Sequence, residues 1–317
     1  MTRLRTHMSA AVDAWNRFFF EPVSTATLAV FRIAFGLILF FWTLSLLPEL
    51  DPFFTKTGIF PQQPHYTQGG WGLLGTFTSN TAVWILWAAL FIASIAIALG
   101  LFSQVAAVVA SVALISFEQR NPYVFNSGDG LIRLLAFYLI FAPASASLSA
   151  RSLLRRDGDF WTFPARPVWP IRLMQLQFSA VYLFAVWDKV RGTTWNNGTA
   201  VSIALRITDI NRFPVPHFVT HSVLISNLLT FGTLAIELSL AILVWNRKLR
   251  LWVLLAGLSL HLGIEYSVRV GFFGMAITSM YLLWVPPERM EAVLLALRQR
   301  LSRTPAAVPA AASSAGS

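Results

Sequence analysis

Cysteine is absent from all 317 residues, which excludes disulfides, thioether-linked haem, iron–sulfur clusters and thiolate zinc. It leaves the compartment open. Charge is the second scarcity: only 12% of the residues are Asp, Glu, Lys or Arg, against about 25% in soluble domains. Acidic residues are the rarer kind, 14 against 24 Lys and Arg, for a net charge of +10. A basic excess can signal nucleic acid, but this chain is 56% hydrophobic with a mean hydropathy of +0.62. In such a chain arginines collect on the cytoplasmic loops of a membrane protein, and no nucleic-acid partner is expected. Residues 1–20 also lack the short apolar run ending in small residues that marks a cleavable signal peptide.

What is present is a succession of apolar runs. The pattern predicts an all-α, polytopic transmembrane bundle of about eight spans, near 25–47, 81–100, 103–118, 129–148, 169–190, 223–245, 251–267 and 271–285. Residues 1–22 read as a basic amphipathic lead-in on the membrane surface, 23–287 as the membrane domain, and 288–317 as a short amphipathic segment with a disordered tail. With both termini inside, fifteen of the 24 Lys and Arg fall on inner segments and seven on outer ones, with Arg32 and Arg133 inside spans. That bias follows the positive-inside rule and predicts cytoplasmic termini in a bacterial plasma membrane. The outer loops hold most of the unusual polar residues, so chemistry is expected on the outward face, in contact with the lipid bilayer.

One stretch gathers that polarity. In the fifth span Gln175, Ser179, Tyr182 and Lys189 recur at helical spacing as a polar stripe, and a Trp195-Asn196-Asn197-Gly198 turn follows. Lys189 reads either as a lysine snorkelling to headgroups at its helix end or as a desolvated base. Asn126, Ser127 and Asp129 open the fourth span; Asp129 or Ser127 is an N-cap by the plain reading and a site residue by the sharper one. Arg133 lies one turn deeper and calls for a carboxylate or an anionic ligand. Glu237, mid-span on the sixth helix, must be paired or protonated. His261 and Glu265, four apart on the seventh, read as a hydrogen-bonded acid–base pair; one histidine and one glutamate fall short of a zinc site, and no metal is expected. His217 and His221 read as part of an ordered turn, and Arg32 as snorkelling or pairing with a neighbouring helix.

Six patches, taken in order, resemble the horizontally transferred transmembrane (HTTM) family: LAVFRIAFGLILF, DPFFTKTGIFP, NPYVFNSGDGLIRLL, AVYLFAVWDKVRGTTWNNGTAV, LAIELSLAILV and LSLHLGIEYSVRVGFFGMA. The resemblance extends to the membrane domain of vitamin K-dependent gamma-carboxylase. It implies a lysine that deprotonates a reduced quinone, vitamin K hydroquinone or a menaquinol; oxygen then yields an epoxide by way of a strong base, which removes a glutamate proton ahead of carbon dioxide capture. The position matching that lysine is Lys189. The segment matching the family's Asn-Asn-His-Ser motif is Phe125–Asp129, which has no histidine. No counterpart of the carboxylase's luminal domain is found in residues 287–317, so carboxylation is less expected than the quinone chemistry.

The expectation is therefore a lyase or oxidoreductase acting on a quinone. Lys189, His261 and Asp129 are its candidate catalytic residues, and Tyr182, Asn126, Arg133, Trp195, Glu237 and Glu265 its candidate substrate- or cofactor-binding residues. Two alternatives stand beside it: a non-catalytic membrane factor or carrier for maturation or export of a secreted peptide, and a structural bundle with paired polar residues.

Overall fold

The computed structural model describes residues 2–62, 70–155 and 160–302, with side chains for 9–62, 70–154 and 160–302. The low-complexity tail from 303 and residues 63–69, in the segment expected as the first outer loop, lie outside the described residues. The fold is helical: α1 Thr2–Phe20, α2 Ala26–Ser45, α3 Leu50–Phe54, α4 Leu73–Thr76, α5 Asn80–Leu99, α6 Ser103–Arg120, α7 Ser127–Phe141 and α8 Ala150–Arg155 make the first half. The second half is α9 Trp169–Lys189, α10 Thr193–Asn196, α11 Ala200–Ala204, α12 His217–His221, α13 Val223–Ile242, α14 Arg250–Ser267, α15 Phe273–Ser279 and α16 Pro287–Ser302. Among the described residues, three segments are long and apolar enough to cross a membrane: Ala26–Phe54, Asn80–Leu99 and Val223–Trp245, with mean hydropathies of 2.1, 2.5 and 2.0. The outward faces are apolar too, as Phe41, Ile85, Ile92, Phe184, Leu228 and Trp252 show. A helix apolar on every side belongs in lipid, and this is an integral membrane protein.

Local chemistry sets the ends of these helices. Ser79 and Ser222 accept from the backbone N–H of Ala82 and Ile225 at the starts of α5 and α13, satisfying donors that have no intrahelical partner. Gly100 closes α5 in the left-handed region, φ 75°, where glycine carries no Cβ penalty. The core forms from α2's stripe Leu28, Phe31, Phe35, Leu39 and Trp42, spaced at three and four residues so that one face turns inward. Helices α2, α5, α6 and α7 pack in chain order; α9, α13, α14 and α15 form the other half, with α15 returning to α7.

Three features depart from the sequence reading. The fourth span was expected over 129–148, yet α7 stops at Phe141. Pro143 drives Ala142 into extended backbone (φ −87°, ψ 136°), as the residue before proline prefers. The freed segment then wraps Arg32, whose guanidinium donates to the carbonyls of Ala144 (3.1 Å) and Leu148 (2.7 Å). Arg32 is fully buried, so it does not snorkel, and its partners are backbone carbonyls of the segment after α7 and not a neighbouring helix. The eighth segment turns from α-helix to a tighter helix at Met280–Trp284. A two-stranded antiparallel pair that periodicity does not reveal, Pro22–Ser24 (β1) with Ala165–Pro167 (β2), ties the lead into α2 to the lead into α9.

Candidate functional site

Helix α9 ends at Lys189, but its neighbour α13 does not end with it. The Lys189 Nζ donates to both carboxylate oxygens of Glu237, at 2.6 and 2.7 Å. At 1.5 Å per residue, Glu237 lies about 21 Å along α13 from Val223. Lys189 is thus at the end of its own helix and well past the midpoint of its neighbour. Beyond it the chain folds back along the first half of α13. Ser226 donates through its hydroxyl to the Gly198 carbonyl (2.8 Å), and the Val201 N–H donates to the Thr230 hydroxyl (3.2 Å). Gly198 makes this possible: its φ is 70°, and a Cβ there would strike the Asn227 side chain. The Trp195 ring in this returning segment lies 5.2 Å from the lysine nitrogen, close enough for a cation–π contact.

Two turns back on α9, the Tyr182 hydroxyl sits 2.6 Å from Nε2 of His261 on α14 and 3.4 Å from the Tyr281 hydroxyl. Tyr182 and His261 are buried, and Phe178 packs edge-on to Tyr182 and Tyr281. Nε2 pairs with Tyr182 in either tautomer, leaving Nδ1 of His261 with no partner among the described residues. Gly257, one turn before His261, gives the Tyr281 hydroxyl its room, since a Cβ there would collide with it.

The remaining sequence candidates divide between two other clusters. At the start of α7, Asn126 accepts from the Gly128 N–H (2.7 Å), and Asp129 accepts from the Asn126 N–H and from the Trp42 indole, both at 2.6 Å. That is a reciprocal cap, with Asn126 in the N-cap position. Arg133 meets a carboxylate, Glu118 on α6, as its depth required. Glu265 pairs with Arg212 at 2.5 Å, not with His261, and so joins the loop 207–212 that docks on the end of α14 through Arg212 N–H to Ser267 O (3.0 Å). Phe273 stands between the clusters: its ring packs on His261 with centroids 6.0 Å apart, and its backbone lies against Gly128. His217 and His221 stack face to face, centroids 3.6 Å apart, in α12.

The stripe on α9 is therefore only partly chemical. Gln175 donates to the Leu283 carbonyl (2.7 Å) and Ser179 accepts from the Trp245 indole (2.8 Å); both fasten helices. Tyr281 escaped the sequence reading, although a lone tyrosine within the apolar run ITSMYLLWV was a signal for a buried hydroxyl in need of a partner. Among the described residues, no three His, Cys, Asp or Glu side chains gather as metal ligands would.

The HTTM domain family model matches residues 20–288 of the chain. No curated protein and no solved structure matches it.

Proposed function

From the premise that the chain belongs to the HTTM domain family, we propose that it is a carboxylase-like membrane enzyme whose base is the Lys189–Glu237 pair. In this reading the chain crosses a bacterial plasma membrane eight times with both termini inside, and the pair is reached from the outer side. The observation that carries the proposal is a charged pair whose carboxylate is buried within the bundle. Glu237, well past the midpoint of α13, keeps 8% of its side-chain exposure and Lys189 keeps 24%. The carboxylate has therefore lost most of its water at a cost of several kcal/mol, and helix packing alone does not require it.

The geometry changes how a base would work here. An amine held by both oxygens of a carboxylate is an ammonium and cannot itself take up a proton. Glu237 accepts the proton from a hydroxyl brought against the pair, and Lys189, released by its neutralised partner, holds the negative charge left on that oxygen. The residues fit a quinol headgroup: an ion pair for one hydroxyl, the buried unpartnered Nδ1 of His261 as a second polar contact, and the Trp195 ring as an apolar face. When bound, a reduced quinone supplies the electrons for reaction with oxygen. Tyr182 and Tyr281 fix the His261 ring and thereby direct Nδ1.

The test is turnover of a menaquinol by protein in nanodiscs, with quinone and epoxide products separated by chromatography. Lys189→Ala and Glu237→Gln are each expected to lower turnover about a hundredfold or more, while Asp188→Asn on the exposed flank leaves it unchanged. Wild-type rates in Lys189→Ala remove the pair as base. The same closed pair also favours a second reading, a non-catalytic factor for maturation or export of a secreted peptide, in which Lys189 and Glu237 only clamp α9 to α13. No quinol oxidation by the wild-type protein, with loss of an exported product on deletion, selects that reading.

A further inference from the structure

A cavity of about 500 Å³ opens at the other end of the bundle, lined by Phe102, Ser103, Ser145, Arg151, Ser152 and Arg166 among others. Its electrostatics are one-sided. Arg151 lies over the Phe102 ring, 4.8 Å to the centroid, and Arg166 enters from β2. Neither meets a carboxylate among the described residues; the ion pairs are Arg133–Glu118, Lys189–Glu237 and Arg212–Glu265.

Directly behind the wall is a third guanidinium. Arg32 is 0% exposed, donates to the carbonyl of the cavity residue Ala144, and keeps an Nε with no partner. A buried cation without a counter-ion is costly, and nothing within the described protein neutralises it. Helix α6 adds the positive end of its dipole. Ser145 accepts from the Ser103 N–H at 3.0 Å, while the next N–H groups, of Gln104 and Val105, have no carbonyl four residues back inside the helix. Phe102 holds φ 47° at this entrance, an uncommon conformation for an aromatic residue, and its ring forms the floor on which Arg151 rests.

The exit from the cavity is apolar. Val105, Val108 and Val109 make an exposed stripe along α6 at 64%, 43% and 36%. Cationic and serine-lined at its base, greasy along its mouth, the cavity suits an amphiphile with a negatively charged head. We infer that it binds a phosphate group, with Arg151, Arg166 and the serine hydroxyls on the oxygens, Arg32 balancing the charge from behind, and an acyl chain of an anionic phospholipid lying on the valine stripe. The site is independent of the Lys189–Glu237 reading.

The experiment uses the full chain in neutral detergent and a fluorescent short-chain phosphatidylglycerol, followed by polarisation. Saturable binding is expected, displaced by unlabelled phosphatidylglycerol and not by phosphatidylcholine. The double variant Arg151→Ala/Arg166→Ala should bind roughly tenfold more weakly or worse, whereas Arg269→Ala, an arginine elsewhere on the molecule, should bind as wild type. Both substituted side chains are partly or fully exposed, and an unchanged helical circular dichroism spectrum establishes that the variant is folded. Displacement by millimolar inorganic phosphate as effective as that by the lipid assigns the site to free phosphate. Equal displacement by phosphatidylcholine, or wild-type affinity in the folded double variant, overturns the proposal.

Discussion

Lys189 and Glu237 illustrate what an ion pair contributes when water is scarce. Each ion loses solvation worth several kcal/mol, and the two short contacts at 2.6 and 2.7 Å offset that loss only while both partners are present. Removing one partner should therefore cost more than removing both. Lys189→Ala is expected to destabilise the protein by about 3 kcal/mol, and Lys189→Met/Glu237→Leu by distinctly less; thermal unfolding in detergent measures the difference, and equal losses would mean that the pair is open to solvent. Arg32 poses the opposite case, because its partners are carbonyls. Arg32→Met relieves a buried charge but strands the oxygens of Ala144 and Leu148, each at about 1–3 kcal/mol, so a net loss of about 2 kcal/mol is expected by the same unfolding assay. The sequence made Lys189, Tyr182, Glu237 and His261 conspicuous because a polar group in an apolar run has few explanations. It did not reveal which would meet: spacing along one helix favoured His261 with Glu265, whereas Tyr182 and Arg212 take them from other elements. Partners across helices depend on rotation and axial offset, which no single helix encodes.

At the scale of the element, the decisive feature is the stagger between α9 and α13. Six of the eight apolar runs form helices close to their expected positions, because a run of apolar residues and its capping residues are local properties; the fourth stops short at Phe141 and the eighth tightens after Ser279. Stagger is not local. Ser179 sits against Trp245 and Lys189 against Glu237, so α9 stops partway along its neighbour and leaves room for the α10–α11 segment. Periodicity cannot report that offset, which is why a lysine at a helix end could be read either as a headgroup residue or as a base. The pairing of α2 with α5 depends likewise on a close approach: a Cβ on Gly36 would run into the backbone of Ala98. Gly36→Leu is expected to force these helices apart and destabilise the protein by about 1–3 kcal/mol, whereas Gly130→Ala, where nothing lies within 4 Å of the added carbon, should be neutral or slightly stabilising because alanine is the better helix former. Comparable unfolding temperatures for the two variants would refute the close packing of α2 on α5.

For the whole molecule, the question is which end faces which side. The two proposed sites lie at different levels of the bundle: the Lys189–Glu237 pair is reached past the α10–α12 segments, and the arginine-lined cavity opens beside β1, β2 and the start of α6. In the proposed orientation, which follows the positive-inside rule, the cavity would lie at the cytoplasmic leaflet, where anionic lipids concentrate, and the pair would be reached from the outside. That orientation decides from which side each site is reached, and the chain is well suited to testing it because it contains no cysteine. A single engineered thiol has no background. Thr208→Cys, in the exposed segment before α12, is expected to react with a membrane-impermeant maleimide on intact cells. Lys248→Cys, in the exposed turn between α13 and α14, should react only after the membrane is opened. The reverse pattern would place the cavity's arginines outside, against the charge bias, and would bring any substrate of the Lys189–Glu237 pair from the cytoplasm. Labelling of both positions on intact cells would mean that α13 does not cross the bilayer, and the proposed approach to the Lys189–Glu237 pair from the outer side of that helix would fail.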